Sequence, residues 1–178
     1  MVSDYYPMIF PGSYNSTVRL HLATDHAGLE LSVEISEHLR NRAFEVVDHG
    51  PETFDPVDDY PGFCINAARA VRRDELDGVP ALGIVLGGSG NGEQIAANKV
   101  EGIRAALVWS EATAVLAREH NNANVCAIGA RQHETAEVLR LIDLFVDTDF
   151  PGEERHARRI NQLFEYETTG GIAGFDIV

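Results

Sequence analysis

The sequence predicts an α/β fold, a Rossmann-like, doubly wound parallel sheet of five strands with helices on both faces. Three observations predict it. Short apolar runs alternate along most of the chain with segments whose apolar residues recur at helical spacing. One run, ALGIVL (81–86), is apolar without interruption, as expected of a strand covered on both faces. The strand-like runs are joined by helical segments, the arrangement that right-handed crossovers between parallel strands require. At 178 residues, with 44% hydrophobic content, the chain buries one proper core and gives no sign of a second domain or an internal repeat.

Each element has its own warrant. VRLHLA (18–23) reads as the first strand and the turn TDHAG follows it. GLELSVEISEHLRNR (28–42) places Leu29, Val33, Ile35 and Leu39 at near-helical spacing. FEVVD (44–48) is the second strand and runs into the Asp/Pro-rich loop GPETFDPVDDYP. Asp59 as an N-cap, with Pro61 in the first turn, sets a helix over about 61–73. After the strand 81–86 come a helix over 92–99, the strand RAALVW (104–109) and the helix SEATAVLAREH (110–120). NVCAIGA (124–130) is the fifth strand, and TAEVLRLIDLFVD (135–147) a helix. A last helix, about 152–167, follows a break at Pro151–Gly152 that releases it to pack on a partner subunit, where Ile160, Leu163 and Phe164 are covered. The α/β domain therefore spans 18–168, between an irregular arm over 1–17, marked by Pro7, Pro11 and Gly12, and a tail over 169–178.

Composition excludes several roles. A formal net charge of −14 argues against nucleic acid and against an anionic membrane as partners. No apolar run reaches the roughly 20 residues of a membrane helix, and the first residues lack the basic and apolar regions of a secretory signal. Cys64 and Cys126 form neither a disulfide framework nor a metal-ligand spacing; in apolar surroundings they read as buried free thiols, which fits a reducing, cytoplasmic setting.

The most informative segment is ALGIVLGGSGNGEQIAANK (81–99), where a strand ends in Gly87, Gly88, Gly90 and Gly92 before a helix begins. Its spacing is neither G-x-G-x-x-G nor G-x-x-x-x-G-K-[ST], so the dinucleotide and nucleoside-triphosphate fingerprints do not apply. Such a turn is either a tight strand-to-helix connection or a cradle whose backbone N–H groups hold an anion or oxyanion. Glu93 is either a carboxylate suited to a helix's first turn or a general base beside that cradle, which also carries Ser89 and Asn91. Asp25 and His26 follow the first strand, where a doubly wound sheet binds its ligand, and Asp25 also suits a helix cap. His120, Asn121 and Asn122 suit a helix end or a reader of sugar hydroxyls. Arg131 follows the fifth strand, while Arg155 and Arg159, at i and i+4, share a helix face able to clamp a phosphate or to pair with Glu153, Glu154 and Glu165. Together these groups suit aldose–ketose isomerisation of a phosphosugar, which needs acid/base groups, enediolate donors and phosphate cations, and neither a redox cofactor nor a metal.

The ordered set DHAG, DDYP, GGSGNGEQIAANK, REHNNAN and ERHARRI, spread over 18–166, resembles the ribose-5-phosphate isomerase type B family, which also includes galactose-6-phosphate and allose-6-phosphate isomerases. The resemblance implies interconversion of D-ribose 5-phosphate and D-ribulose 5-phosphate without a cofactor, in homodimers or homotetramers whose active sites are shared between subunits. It implies that Asp25 and His26 touch substrate, that Gly88, Gly90, Asn91 and Gly92 form an anion hole, and that Asn121 contacts the sugar. Arg131, Arg155 and Arg159 match phosphate ligands. His120 and His156 are both candidates for ring opening, with His156 reached from the partner subunit. Many members carry a cysteine base where this chain has Gly87, and the chain resembles the branch in which a Glu at the position of Glu93 is the base, assisted by Ser89. Two other readings stay open: isomerisation of another phosphosugar (allose or galactose 6-phosphate, or erythrulose 4-phosphate), and a non-catalytic phosphate- or nucleotide-binding module.

Overall fold

The computed structural model describes residues 18–177, so the arm over 1–17 lies outside the described residues. In chain order the elements are β1 (Arg19–Ala23), α1 (Leu29–Asn41), β2 (Glu45–Asp48), α2 (Tyr60–Leu76), β3 (Ala81–Gly87), α3 (Asn91–Ala97), β4 (Ala105–Leu107), α4 (Glu111–Asn121), β5 (Val125–Gly129), α5 (Thr135–Asp147) and α6 (Glu154–Thr169). The five strands form one parallel sheet in the order β2-β1-β3-β5-β4. No helix among the described residues is long and apolar enough to cross a membrane.

Side-chain alternation along the strands assigns each helix to a face. Leu20, Leu22, Leu82, Ile84, Leu86, Cys126 and Ile128 point to one side, where α1, α4 and α5 bring Ile35, Leu39, Ala114, Leu141 and Phe145. Ala23, Ala81, Val85, Val125 and Ala127 point to the other and meet Cys64, Ala67, Ala68 and Val71 of α2 with Ala96 and Ala97 of α3. Large residues fill the first interface. Small ones, chiefly alanines, make up much of the second, where α2 and α3 pack.

Topology and register place those loops. The chain leaves β1 for β2 on one side and returns to β3 on the other, so the connections diverge at the carboxyl ends of β1 and β3 and open a crevice there. Ala23 pairs with Val85, so Asp25 stands abreast of Gly87; Gly87 pairs with Gly129, so Arg131 stands abreast of Ser89.

Element boundaries depart from the sequence reading where side chains compete with the backbone. Asn98 pairs with Ala105 through both its amide atoms (Ala105 N–H to Oδ1, 2.8 Å; Nδ2 to the carbonyl, 2.9 Å), which stops α3 at Ala97. Beyond β4, Thr113 Oγ1 accepts the N–H groups of Trp109 and Ser110 at 3.1 and 3.0 Å, and the strand gives way to the capping box of α4. Asp59 is the N-cap residue of α2, but its side chain makes no capping bond. The Pro151–Gly152 break turns the chain without detaching α6: His156 and Ile160 are buried on the chain's own surface, and Glu167 accepts the Gly102 N–H at 2.9 Å. Leu163 and Tyr166 on the same helix remain exposed.

Candidate active site

The sequence-derived residues fall into two groups at opposite ends of the sheet. At the carboxyl end, Gly90 caps α3 with φ +79°, a conformation that a β-carbon disfavours. That turn directs Glu93, in the first turn of α3, back over the end of β3. A β-carbon built on Gly87 would lie 1.9 Å from Glu93 Oε1 and 2.1 Å from Cδ, so the carboxylate fills the space that any side chain at 87 would need. Glu93 is buried. Burial lifts its carboxyl above the ordinary value, and the neighbouring Asp25 charge adds to the effect, against backbone N–H donors of Glu93 itself and Gly90.

The remaining groups at this end surround that carboxylate. Asp25 is buried and closes its own turn, with Oδ1 accepting the Ala27 N–H at 2.9 Å, rather than capping α1, whose N-cap is Gly28. His26 is held by Asp58 at 2.6 Å, and its ring meets Phe54 edge-on at 6.3 Å. Ser89 Oγ accepts both the backbone N–H and the side-chain amide of Asn91 at 3.3 Å. The Arg131 guanidinium runs alongside Gly88, where a methyl group would meet Nη1 at 3.6 Å, and it has no carboxylate partner among the described residues. Cys64 is buried nearby on α2; burial, reinforced by the charges of Glu93 and Asp25, pushes its thiol up to about 12. Cys126 lies on the opposite face of the sheet and burial raises it likewise to about 12, so both cysteines are the buried free thiols the sequence indicates.

The second group gathers where α4 and α5 return the chain to the amino end. Asn122 ends α4 in the left-handed conformation (φ 43°), its Oδ1 held by the buried Arg118 at 3.1 Å. Arg118 also binds the Ala123 carbonyl at 2.5 Å and the Thr148 carbonyl at 3.2 Å, fixing the ends of α4 and α5 together. Asn122 is thereby a structural residue; beside it His120 is half-buried and Asn121 is exposed. The His120 and His156 rings stack with centroids 4.2 Å apart and planes 13° from parallel. His156 is buried, and its Nε2 accepts from Arg155 Nε at 3.1 Å. Burial holds the His156 ring below its usual range, with His120 and Arg155 acting in the same direction. Arg155 also pairs with Glu153 at 3.1 Å; Arg159 is exposed and has no carboxylate partner among the described residues.

These two groups do not meet within one chain. The seven residues of β3 alone span on the order of 20 Å. Glu93 follows the carboxyl end of the sheet, and His120 precedes the amino end of β5. Between the ends, along the free edge of β4, runs a groove of about 890 Å³ lined by residues including Gln94, Asn98, Ile103, Asn121, Leu163 and Phe164. Ile95, Trp109, Leu163 and Tyr166 are large hydrophobic residues left exposed on α3, after β4 and on α6.

Three neighbours of the site were missed by sequence reasoning. Tyr60 covers the glycine turn, its ring 2.6 Å from where a β-carbon of Gly92 would stand. Asp58 holds His26. Cys64 adjoins Glu93 and Asp25. The DDYP motif contains the first two; capping logic directed attention to Asp59 instead.

A raised, buried carboxylate in a glycine turn at the carboxyl end of a parallel sheet, beside an arginine with no carboxylate partner among the described residues, defines an α/β protein equipped for acid/base chemistry on a small anionic molecule. Comparison with known proteins narrows that class. Residues 20–163 match the Ribose/Galactose Isomerase family model, and the chain belongs to that family. It is 54% identical over 154 residues to ribose-5-phosphate isomerase B of Mycobacterium tuberculosis, covering 86% of this chain and 93% of the relative. The fold is similar to that of ribose-5-phosphate isomerase B from Mycoplasma genitalium with bound ribulose-5-phosphate (TM-score 0.81, 44% identity, 86% of this chain and 98% of that one). It is also similar to the Clostridium thermocellum ribose-5-phosphate isomerase B (TM-score 0.79, 38% identity, 86% and 99% coverage).

Proposed function

We propose that the chain interconverts D-ribose 5-phosphate and D-ribulose 5-phosphate, with Glu93 as the base. The observation that carries this reading is the Glu93 carboxylate, buried, raised and seated in the space left by the missing side chain of Gly87. The M. tuberculosis relative bears that activity in its name, and the M. genitalium structure holds ribulose-5-phosphate. Glu93 removes the proton from C2 of the open-chain aldose and returns it to C1. The enediolate formed in between is met by the N–H groups of the Gly88–Gly92 turn and by Ser89. A raised carboxyl suits this task, because a stronger base takes a carbon-bound proton more readily. A side chain at 87 and the Glu93 carboxylate exclude one another sterically, which supports the glutamate-base branch of the family.

The other half of each site comes from a second copy. His120, half-buried and stacked on His156, opens the ring by moving a proton between the ring oxygen and the anomeric hydroxyl, and Asn121 holds sugar hydroxyls. His156, with Nε2 engaged by Arg155, serves as the platform for His120 rather than as the acid. His26 and Arg131 of one copy, with Arg155 and Arg159 of the other, hold the phosphate. Exposed Ile95, Trp109, Leu163 and Tyr166 beside the open β4 edge give the second copy an apolar surface to cover, in a homodimer or a pair of them. A cytoplasmic setting belongs to the same reading, supported by the two free thiols.

The test is proton exchange. Incubated with ribose 5-phosphate in D₂O, the protein is expected to place deuterium on the reacting carbon. Glu93→Gln, which keeps the shape but not the basicity, is expected to lower that exchange by about 10²–10⁴-fold. Exchange near the wild-type rate in the Gln variant assigns the base elsewhere. No exchange by the wild-type protein with ribose 5-phosphate, but exchange with a four- or six-carbon phosphosugar, changes the substrate.

A further inference from the structure

The loop between β2 and α2 sends Asp58 into the carboxyl-end half-site, where proton transfer as described above has no use for it. Its Oδ1 accepts two hydrogen bonds from one residue, the His26 ring Nδ1–H at 2.6 Å and the His26 backbone N–H at 3.1 Å. The Asp58 side chain is 9% exposed, and its Oδ2 is buried with no partner among the described residues. A carboxylate serving only to anchor a loop would be satisfied at both oxygens, since burying an unpaired one is costly. Among the described residues, all of the carboxylate's hydrogen bonding is spent on His26. With Nδ1 turned to Asp58, ring Nε2 faces the other way, has no partner among the described residues, and belongs to a side chain that is 24% exposed.

The donor atoms of Asp25, His26 and Asp58 lie within 4.8 Å of one another, a spacing that also suits a metal ion. Distance decides between the two arrangements. Ligand atoms sharing a tetrahedral zinc stand roughly 3.4 Å apart, from metal–ligand distances near 2.1 Å. At 2.6 Å, Nδ1 and Oδ1 share a proton instead, in the length range of a charge-assisted hydrogen bond.

We propose that Asp58 is a positioning residue for phosphate recognition: it anchors the Nδ1–H of His26 and aims Nε2 at the phosphate of the substrate, to which the ring, carrying a proton on each nitrogen in the complex, donates its Nε2–H. This inference rests on the reading of His26 as a phosphate contact. Asp58 does not touch the sugar phosphate and acts only through the imidazole, as a carboxylate orients a histidine in other sites. Its effect therefore falls on binding rather than on the proton transfer at Glu93.

The experiment measures ring state and affinity together, on the full-length chain, with inorganic phosphate as the probe. With ¹⁵N-labelled histidine, the His26 nitrogens of the wild-type protein are expected to show a protonated Nδ1, and bound phosphate is expected to add a proton at Nε2. Asp58→Ala is expected to mix the two tautomers of the free ring and, without the carboxylate that anchors the doubly protonated ring and offsets its charge, to weaken phosphate binding about tenfold, the worth of one charged hydrogen bond. Asp58→Asn, whose amide oxygen still accepts from Nδ1, is expected to keep the tautomer and lose less affinity. For ribose 5-phosphate, KM is expected to rise by a similar factor while kcat changes less than about threefold. In a His26→Ala background, Asp58→Ala is expected to add nothing. An unprotonated Nδ1 in the wild type, unchanged phosphate affinity in Asp58→Ala, or a further loss in the double variant overturns the proposal. If Asp58→Ala fails to fold, the same cycle is run with Asp58→Asn, and a tautomer lost in that variant overturns it equally. Failure of the wild-type protein to turn over ribose 5-phosphate counts against the proposed activity, whereas the nitrogen shifts and phosphate affinity judge Asp58 independently of turnover.

Discussion

Glu93 and Gly87 form one functional unit, since the space missing at one is occupied by the other. Gly87→Ala places a methyl group where the Glu93 carboxylate lies, and the obstructing atoms are the far end of a side chain that can move. The variant is expected to fold with a stability loss of about 1 kcal/mol or less, yet to lose about 10²-fold in kcat/KM, as a displaced base does. Thermal unfolding alongside steady-state kinetics checks this; normal activity in Gly87→Ala contradicts the placement of the base. The pH profile carries the same signature. As the proposed base Glu93 must be unprotonated, and its carboxyl is raised above the ordinary 4.5, so kcat/KM is expected to fall with decreasing pH through a midpoint above that value. A midpoint at or below it removes Glu93 as the base. The placement of Glu93 at the glycine turn after β3 was legible in the sequence, which left open whether it serves the helix's first turn or acts as a base. Asp58 was not, because its partner His26 lies 32 residues earlier and only the folded sheet brings them together.

At the scale of elements, the strands and helices followed from periodicity, and the errors fell where a side chain took over a backbone role, as Asn98 and Thr113 do at the ends of α3 and β4. The glycine turn illustrates two kinds of constraint side by side. At Gly90, unlike Gly87, φ is +79° and an added β-carbon would meet backbone atoms of Ile128 and Gly129 at 2.9 and 3.0 Å. Gly90→Ala is therefore expected to cost about 1–3 kcal/mol in stability, measured by urea unfolding, where Gly87→Ala costs little. Equal stability of the two variants would contradict the geometry of the turn. The pairing of β1 with β2 and α2 carries a separate pH dependence. His21 is buried between His49 and Asp74, with hydrogen bonds of 2.9 Å to each. Burial lowers His21 despite the Asp74 carboxylate, and burial together with His21 lowers His49. A histidine depressed in the folded state costs stability as pH falls below its unfolded value of about 6.5, because the unfolded chain takes up the proton first. His49→Gln, which does not titrate, is expected to lose less stability than the wild type between roughly pH 7.5 and 5.5. Identical slopes for the two proteins would remove this pair from the acid response.

At the scale of the whole molecule, the candidate site residues of one chain stand in two groups at opposite ends of the sheet. Glu93, Asp25, His26 and Arg131 stand at the carboxyl end of the sheet; His120, Asn121, Arg155 and Arg159 stand at the amino end. The residue types at both ends were legible in the sequence. Their separation was not, because it follows from the direction in which α4 and α5 return the chain. It also leaves α6 resting on its own chain through His156 and Ile160 with Arg155 and Arg159 exposed, and the proposed dimer offers those arginines to the second copy. Subunit mixing tests this arrangement most directly. Glu93→Gln and His120→Ala are each expected to be nearly inactive alone. After exchange of subunits, each mixed dimer contains one site with both lesions and one with neither. Random mixing at equal concentrations makes half the dimers mixed, so activity is expected to recover to about a quarter of the wild-type value. No recovery, with mixed dimers demonstrated by native mass spectrometry, would contradict the shared site and require Glu93 and His120 to act within one chain.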